Sequence, residues 1–224
     1  MNDKLIIFGP GFADPSLVID QLAKKFDKGF DRLVLSYVDR GTRHPIEETA
    51  ANLYPMIAIL RKSYKYVFFV GHSMGGLVGR ELMAMHDDEL LFDAYVSIGT
   101  PHTGTVLASL APERLFKDIS PSMLAMRPNS SFMDKIEASR VKYFVPGRKC
   151  YTPAFTIGAQ FEEMVLPHSS AHIEGVANRT TIPWTSHVTV ALSQRTYLEI
   201  WAFFTYEILM EVNPGEIQGI FTRL

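Results

Sequence analysis

The chain has few features that would link it covalently or direct it to a charged partner. Cys150 is the single cysteine among 224 residues, so an internal disulfide is excluded, as is usual in a reducing compartment. Lys and Arg number 22 against 24 Asp and Glu, which gives a net charge of −2, and no basic block occurs. We therefore expect no nucleic-acid partner and no attraction to an anionic membrane surface.

Long apolar runs are also missing. The first apolar run, residues 5–8, is too short for a secretory signal core and lacks a cleavage site, although a trimmed mature form would make this uninformative. Residues 198–210 are shorter than a membrane span and contain Glu199 and Glu207. The sequence predicts no transmembrane segment and a cytoplasmic location, and it leaves the oligomeric state open.

What the chain does contain is an alternation of short apolar runs with helical patterns. We expect strands near residues 5–8, 32–37, 66–70, 95–98, 154–157 and 179–182, and helices near residues 16–25, 45–63, 74–86, 131–139 and 193–212. This order predicts an α/β fold with a mostly parallel central sheet of about six strands and helices on both faces. The length and composition suit a single domain over residues 1–224.

One motif stands out within this pattern. The apolar run at residues 66–70 stops at Gly-His-Ser-Met-Gly-Gly, residues 71–76, and a helical pattern follows. A G-x-S-x-G motif between a strand and a helix is typical of a nucleophile elbow, which holds the serine, here Ser73, on a strained turn above the sheet. Gly71 and Gly75 leave room where strand and helix converge. The alternative is a glycine-rich turn with an incidental serine.

Residues 70–76 resemble the α/β-hydrolase superfamily, in which Gly-His-Ser-Met-Gly-Gly is common among lipases and esterases. A second segment, Thr-Pro-His-Thr-Gly at residues 100–104, is similar to bacterial lipases and to GPI-inositol-deacylase-like hydrolases, and residues 126–132 resemble a stretch that those lipases carry further on. The resemblance extends from about residue 5 to residue 198. It implies the α/β-hydrolase fold and a catalytic triad in the chain order serine, acid, histidine.

The base should be a histidine that lies well after Ser73, which leaves four candidates: His102, His168, His172 and His187. The resemblance favours His187, because it lies past the last expected strand and before the C-terminal helix, where the family carries its catalytic histidine. His102 resembles the structural histidine of the Thr-Pro-His-x-Gly segment, and His168 and His172 resemble loop residues. We expect His72, next to the nucleophile, to point to the other side of the turn.

The acid is expected after the penultimate strand. Many lipases carry a proline four residues beyond the acid, and Glu163 stands in that register before Pro167. The resemblance therefore favours Glu163 as the acid, with glutamate in place of the commoner aspartate. The adjacent Glu162 keeps the assignment open, since one member of the pair could be a solvated surface carboxylate.

The oxyanion hole should combine two backbone N–H groups. The first belongs to Met74, which follows the nucleophile, and the second comes from the loop after the first strand. That loop reads Phe-Gly-Pro-Gly-Phe-Ala at residues 8–13, without the family's histidine. If Phe8 replaces the histidine, the donor falls on Pro10, which has no N–H. If Pro10 replaces it, Phe12 is the donor, and only this register can build the hole.

Together these features predict a serine carboxylic ester hydrolase, a lipase or esterase, acting on a small-molecule or lipid ester through a Ser73–His187–Glu163 triad and an acyl-enzyme. No metal or organic cofactor is expected. An amidase, peptidase or acyltransferase could use the same triad, and a non-catalytic binding protein could keep the same fold.

Residues 105–150 form a long connection with many bulky apolar side chains. Hydrolases of this superfamily carry substrate-covering insertions at this place, so we consider a cap or acyl-pocket insertion. The alternative is that these side chains only pack helices onto the sheet.

Overall fold

The computed structural model describes residues 2–14, 16–37, 43–86, 89–110 and 120–212. It contains six strands: β1 (Lys4–Gly9), β2 (Asp31–Val34), β3 (Tyr66–His72), β4 (Ala94–Ile98), β5 (Ala154–Phe161) and β6 (Arg179–Ser186). The described helices are α1 (Leu17–Ala23), α2 (Ile46–Ser63), α3 (Met74–Met85), α4 (Val106–Leu110), α5 (Pro121–Ala125), α6 (Ser131–Phe144), α7 (Thr189–Leu192) and α8 (Gln194–Val212), with a 3-10 helix at His168–Ala171.

The six strands form one sheet in the order β2-β1-β3-β4-β5-β6, and every neighbouring pair is parallel. Parallel neighbours need crossover connections, and here helices supply them on both faces. All strands therefore end at the same edge, and the loops that follow β1, β3, β5 and β6 meet there. The predicted parallel α/β sheet is confirmed.

The core lies on both faces of the sheet, and β3 lies at its centre with all seven residues buried. Alternate β3 side chains face opposite layers, since successive residues of a strand point to opposite sides. Phe68 packs with α1 and α8, and its ring stacks on that of Phe204 at a centroid distance of 4.5 Å. Phe69 packs on the other face with α2, α3 and α6. This double burial explains why β3 is apolar without alternation.

Every expected strand and helix is present, with differences at some ends, and the structure adds the short helices α4, α5 and α7, which the sequence pattern did not predict. β2 stops at Val34 rather than residue 37, although the Leu35 N–H still donates to the Phe8 carbonyl at 2.8 Å. β6 continues to Ser186 beyond the expected residue 182 and pairs with β5 through a register shift near Ala159. These differences lie at the loop ends of strands, where side-chain periodicity is weakest.

Part of the 105–150 segment packs onto the sheet. Met126, Phe132, Met133 and Ile136 are buried in the core beside α2 and α3, whereas Leu110 is 72% exposed. Residues 111–119 lie outside the described residues, so three of the apolar side chains that motivated an acyl pocket, at positions 115, 116 and 119, are among those not described. The described part fits the packing alternative for α5 and α6, and the cap or acyl pocket stays a prediction.

The C-terminal helix α8 packs on the sheet through Ile200 and Phe204, both fully buried. Its burial matches the expectation of a helix on the sheet. None of the helices within the described ranges combines the length and apolar character needed to span a bilayer.

We expect the contact between the end of β3 and the start of α3 to tolerate no side chain at Gly71. A Cβ there would lie 2.4 Å from the Gly76 backbone nitrogen, and backbone cannot move aside as a flexible side chain can. Gly71→Ala should therefore lower the free energy of unfolding by about 3 kcal/mol, the upper end of overpacking costs. Gly147→Ala is the control, since its φ of 83° is positive but no atom lies within 4 Å, and it should cost about 1 kcal/mol. Equal losses in urea unfolding would contradict this steric account.

Candidate active site

Ser73 lies on the turn that joins β3 directly to α3. Its φ of 53° and ψ of −127° place a residue with a side chain in a sparsely populated conformation. The Ser73 N–H donates to the Ile98 carbonyl of β4 at 2.8 Å, and the Ser73 carbonyl accepts from the Gly76 N–H at 3.1 Å. Strain of this kind costs about 1–3 kcal/mol and persists only where its surroundings fix it. The turn has the geometry predicted for a nucleophile elbow.

Three contacts explain the glycines around Ser73. A Cβ at Gly71 would collide with the backbone at Gly76, and a Cβ at Gly75 would lie 2.2 Å from the Gly9 carbonyl oxygen. A Cβ at Gly76 would lie 2.2 Å from the Thr100 hydroxyl. The elbow is thus in contact with β1 on one side and with the loop after β4 on the other.

A continuous chain of hydrogen bonds connects three side chains at this edge. The Ser73 Oγ lies 2.9 Å from His187 Nε2, and His187 Nδ1 lies 2.8 Å from Glu162 Oε1. A carboxylate only accepts, so the proton lies on Nδ1, and Nε2 can then accept the Ser73 hydroxyl proton. His187 follows β6 directly, and Glu162 follows β5. The structure therefore brings Ser73 and His187 together across residues far apart in the sequence.

Glu162 is buried, with 4% of its surface exposed. Burial raises the pKa of this carboxyl, but the His187 hydrogen bond and the Met164 and Val165 N–H groups, which both donate to Oε1 at 3.0 Å, outweigh burial. The net result is a pKa below the ordinary glutamate value. The side chain is thus held ionised and acts as the hydrogen-bond acceptor of the His187 ring.

The structure differs from the sequence-based expectation at the acid. The Glu163 carboxylate does not reach the His187 ring; instead its Oε2 accepts from the His187 backbone N–H at 3.1 Å. Glu162 is the first residue after β5, and its side chain turns inward while Glu163, next along the chain, is exposed. The spacing to Pro167 favoured Glu163. The loop, however, folds back so that its backbone N–H groups donate to the Glu162 carboxylate, which makes Glu162 the inward-pointing glutamate.

The other three candidate histidines lie away from the Ser73 hydroxyl. His102 is buried, with Nε2 2.8 Å from Ser97 Oγ and Nδ1 3.4 Å from the Arg80 guanidinium. The His168 ring bonds the Glu162 carbonyl at 2.9 Å, and the His172 ring bonds Thr156 Oγ1 at 2.9 Å. Each of these three rings is engaged by a partner other than Ser73, as expected of structural histidines.

His72 corrects another expectation. Its ring does not point away from the site but lies with its centroid 5.0 Å from that of His187, and its Nε2 bonds the His187 carbonyl oxygen at 3.0 Å. Burial, followed by the nearby His187, lowers the pKa of His72 to about 4. The expectation for His72 fails because a sequence pattern gives no direction to a side chain at the end of a strand.

The loop after β1 passes directly beside Ser73. A Cβ at Gly11 would lie 3.2 Å from Ser73 Cβ and 3.3 Å from His72 Nδ1. The next residue, Phe12, is partly buried and packs against the core. Met74 begins α3, and the first N–H groups of a helix have no acceptor within it. Both expected oxyanion donors, Phe12 and Met74, therefore belong to segments that adjoin the Ser73 side chain.

Gly99 makes room for the histidine–carboxylate pair. Its φ is 54°, and a Cβ there would lie 3.1 Å from His187 Nδ1 and 3.3 Å from Glu162 Oε2. The adjacent Thr100 packs on Gly76, and His102 bonds back to β4. The Gly-Thr-Pro-His segment thus connects the elbow with the loops that carry Glu162 and His187, which gives that sequence signature a structural reason.

Across the part of the chain that the structure describes, no group of three or more His, Cys, Asp or Glu side chains is arranged to hold a metal ion.

Comparison with known proteins agrees with this architecture. The model of a PGAP1-like alpha/beta domain matches residues 46–134, which include β3, the elbow, α3 and the Gly-Thr-Pro-His segment. No curated protein matches the chain significantly in sequence.

Several solved structures resemble the chain at low identity. Bacillus licheniformis lipase BlEst2 in mature form is 16% identical, with a TM-score of 0.67 and 91% of each chain covered. Aspergillus fumigatus lipase B is 19% identical with a TM-score of 0.65, over 84% of this chain and 49% of that one. A structure from work on the metagenome-derived lipolytic enzymes LipS and LipT is 14% identical with a TM-score of 0.64, over 92% and 94%. The fold is that of the α/β-hydrolases, which confirms the resemblance found in the sequence.

The lowered pKa of Glu162 leads to a prediction about acid stability. Because this pKa is lower in the folded protein than in the unfolded chain, the ionised carboxylate stabilises the fold above the unfolded value of about 4.3. That contribution is lost as the pH falls through the folded-state pKa. From about pH 5 to pH 3, the free energy of unfolding of the wild type should therefore decrease more than that of Glu162→Gln. Urea unfolding at each pH measures this, and parallel curves would contradict it.

Proposed function

We propose that this α/β-hydrolase-fold protein is a serine carboxylic ester hydrolase with Ser73 as nucleophile, His187 as base and Glu162 as acid. The observation that carries the proposal is the hydrogen-bond chain from Ser73 Oγ to His187 Nε2 and from His187 Nδ1 to Glu162, at 2.9 and 2.8 Å. A serine hydroxyl is a weak nucleophile unless a positioned base takes its proton, and a third group must orient that base. The proposed acid is thus Glu162 rather than Glu163.

In the proposed reaction, Ser73 Oγ attacks the ester carbonyl carbon while its proton passes to His187 Nε2. The tetrahedral intermediate collapses as the bond to the alcohol oxygen breaks, and His187 returns the proton to the leaving alcohol. Water then attacks the acyl-enzyme with His187 again as base, which releases the carboxylic acid and restores the Ser73 hydroxyl. The buried Glu162 carboxylate stabilises the imidazolium formed in both steps.

The negative charge that develops on the carbonyl oxygen needs donors placed in advance. We assign this role to the Met74 and Phe12 N–H groups. The contact of Gly11 with Ser73 Cβ and the position of Met74 at the start of α3 support this assignment. The positive end of the helix dipole adds to the stabilisation of an anion at this place.

An apolar acyl group is the substrate portion that the surroundings favour. The Glu162–Glu163 pair is flanked in sequence by Phe161 and Met164, and His187 is followed by Val188; all three neighbours are exposed apolar side chains. Trp184 is 82% exposed, with its ring 5.9 Å from that of Phe161. Exposed aromatic and aliphatic groups beside a catalytic edge suit the acyl chain of a lipid or other hydrophobic ester.

The first test uses p-nitrophenyl esters of increasing chain length, an emulsified triglyceride and a matched amide. Ser73→Ala should reduce ester turnover by on the order of 10⁶, because no other atom at this site can form the acyl-enzyme. A fluorophosphonate probe should label the wild type at Ser73 and leave the alanine variant unlabelled. Ester turnover by the alanine variant near the wild-type rate would refute the mechanism, and faster turnover of the amide would favour an amidase.

The second test concerns the acid. Glu162→Gln should lower kcat by about 10⁴, the loss seen when a neutral amide holds the wrong imidazole tautomer in a related triad. Glu174→Gln is the control, since this carboxylate is exposed and follows the 3-10 helix rather than the triad loop. Turnover by Glu162→Gln comparable to that of the control would show that another group orients His187.

A further inference from the structure

The backbone of His187 is held on both sides by side chains. Its N–H donates to Glu163 Oε2 at 3.1 Å, and its carbonyl oxygen lies 3.0 Å from His72 Nε2. Because the ring nitrogens bond Ser73 and Glu162, each of the four polar atoms of His187 has a different partner. Such complete engagement fixes the position of the residue as well as the orientation of its ring.

The His72 contact has a defined donor. A carbonyl oxygen only accepts, so the proton must be on Nε2 of His72. His72 is buried with 3% of its surface exposed, and its Nδ1 has no hydrogen-bond partner among the described residues. Burial and the adjacent His187 lower its pKa to about 4, against smaller opposing effects of the hydrogen bond to the His187 carbonyl and of Glu162. His72 is therefore neutral at the pH at which ester hydrolysis would operate, and its single N–H stays directed at His187.

The contact also closes a ring between the proposed nucleophile and base. Ser73 is joined to His72 through the peptide bond, His72 to the His187 backbone through its side chain, and the His187 ring to Ser73 Oγ. Two connections therefore fix the distance from His187 Nε2 to Ser73 Oγ. One is the hydrogen bond between these atoms, and the other runs from Ser73 through His72 to the His187 backbone. Both begin at the end of β3. An error of about 1 Å at reacting groups can cost on the order of 10²-fold in rate.

We propose that His72 and Glu163 are positioning residues that hold the backbone of His187 so that its imidazole stays within bonding distance of Ser73. This inference rests on the proposed ester hydrolysis. The buried His72 contact contributes more to holding the His187 backbone than the Glu163 contact does. Glu163 is exposed, so it competes with water for the His187 N–H. The paired glutamates then have separate roles: Glu162 orients the ring and Glu163 holds the main chain.

The main test compares Phe and Gln at position 72. His72→Phe fills the space without a donor and should lower kcat for p-nitrophenyl butyrate by about 10- to 100-fold, with KM changed less than about threefold. His72→Gln offers an amide N–H in place of Nε2 and should recover to within about fivefold of wild type. Wild-type kcat in the Phe variant, or a Gln variant as slow as the Phe variant, would overturn the role of His72.

A second pair of variants tests the exposed side. Glu163→Ala removes the acceptor and should lower kcat by about three- to tenfold, whereas Glu163→Gln keeps an acceptor oxygen and should restore most of it. These exposed substitutions leave the core unchanged, so they decide the Glu163 role even if a variant at position 72 fails to fold. Equal kcat in the Ala and Gln variants would overturn it.

A measurement without substrate separates this inference from the proposed function. In the wild type, nitrogen NMR should report an Nδ1-protonated His187 with a slowly exchanging, strongly hydrogen-bonded proton, and His72→Phe should broaden or shift that signal. If the wild type hydrolyses no ester, the proposed function fails and the NMR comparison alone decides the positioning role. An unchanged His187 signal in His72→Phe would overturn it.

Discussion

The close approach of β3 and α3 at the elbow is the constraint on which the site depends. Gly71 and Gly76 allow the strand and helix to meet with almost no space between them, and Ser73 takes up the turn in a strained conformation. The hydrogen bond from the Ser73 N–H to β4 holds that conformation, so the sheet core supports the strain. The proposed nucleophile is therefore ordered before any substrate arrives, which is how preorganisation reduces the entropic part of a barrier.

The parallel sheet explains how distant residues meet. Ser73 follows β3, Glu162 follows β5 and His187 follows β6, and parallel strands deliver their carboxyl ends to one edge. The loop after β4 lies between them and contributes Gly99, whose missing side chain leaves room for the imidazole and carboxylate. The sheet therefore determines where the loops meet, and the loops carry the polar side chains. Gly76 and Gly99 lie at contacts between these segments where a side chain would crowd its neighbours.

Burial gives the site its electrostatic character. Two adjacent glutamates have different surroundings: Glu162 is enclosed and accepts from His187 and two backbone N–H groups, whereas Glu163 is exposed. At Glu162 the hydrogen bonds from His187 and from the two backbone N–H groups outweigh the cost of desolvation, so the carboxylate stays ionised although it is buried. At His72 the hydrogen bond to the His187 carbonyl and the nearby Glu162 oppose burial but do not outweigh it, so that ring stays neutral. The same low-polarity surroundings thus hold one group charged and another uncharged.

The sequence by itself determined the alternation of strands and helices, the parallel sheet and the elbow at Ser73, because these depend on local periodicity and on glycines whose spacing is fixed along the chain. The place of His187 directly after the last strand was also predictable, because the family resemblance indicated it. Only the tertiary structure decided which glutamate meets the histidine and where His72 points. Adjacent residues leave a strand end in opposite directions, and whether one faces inward depends on how the loop folds back, which involves contacts with residues far away in the sequence. A sequence pattern carries the order of such residues but not the direction of their side chains.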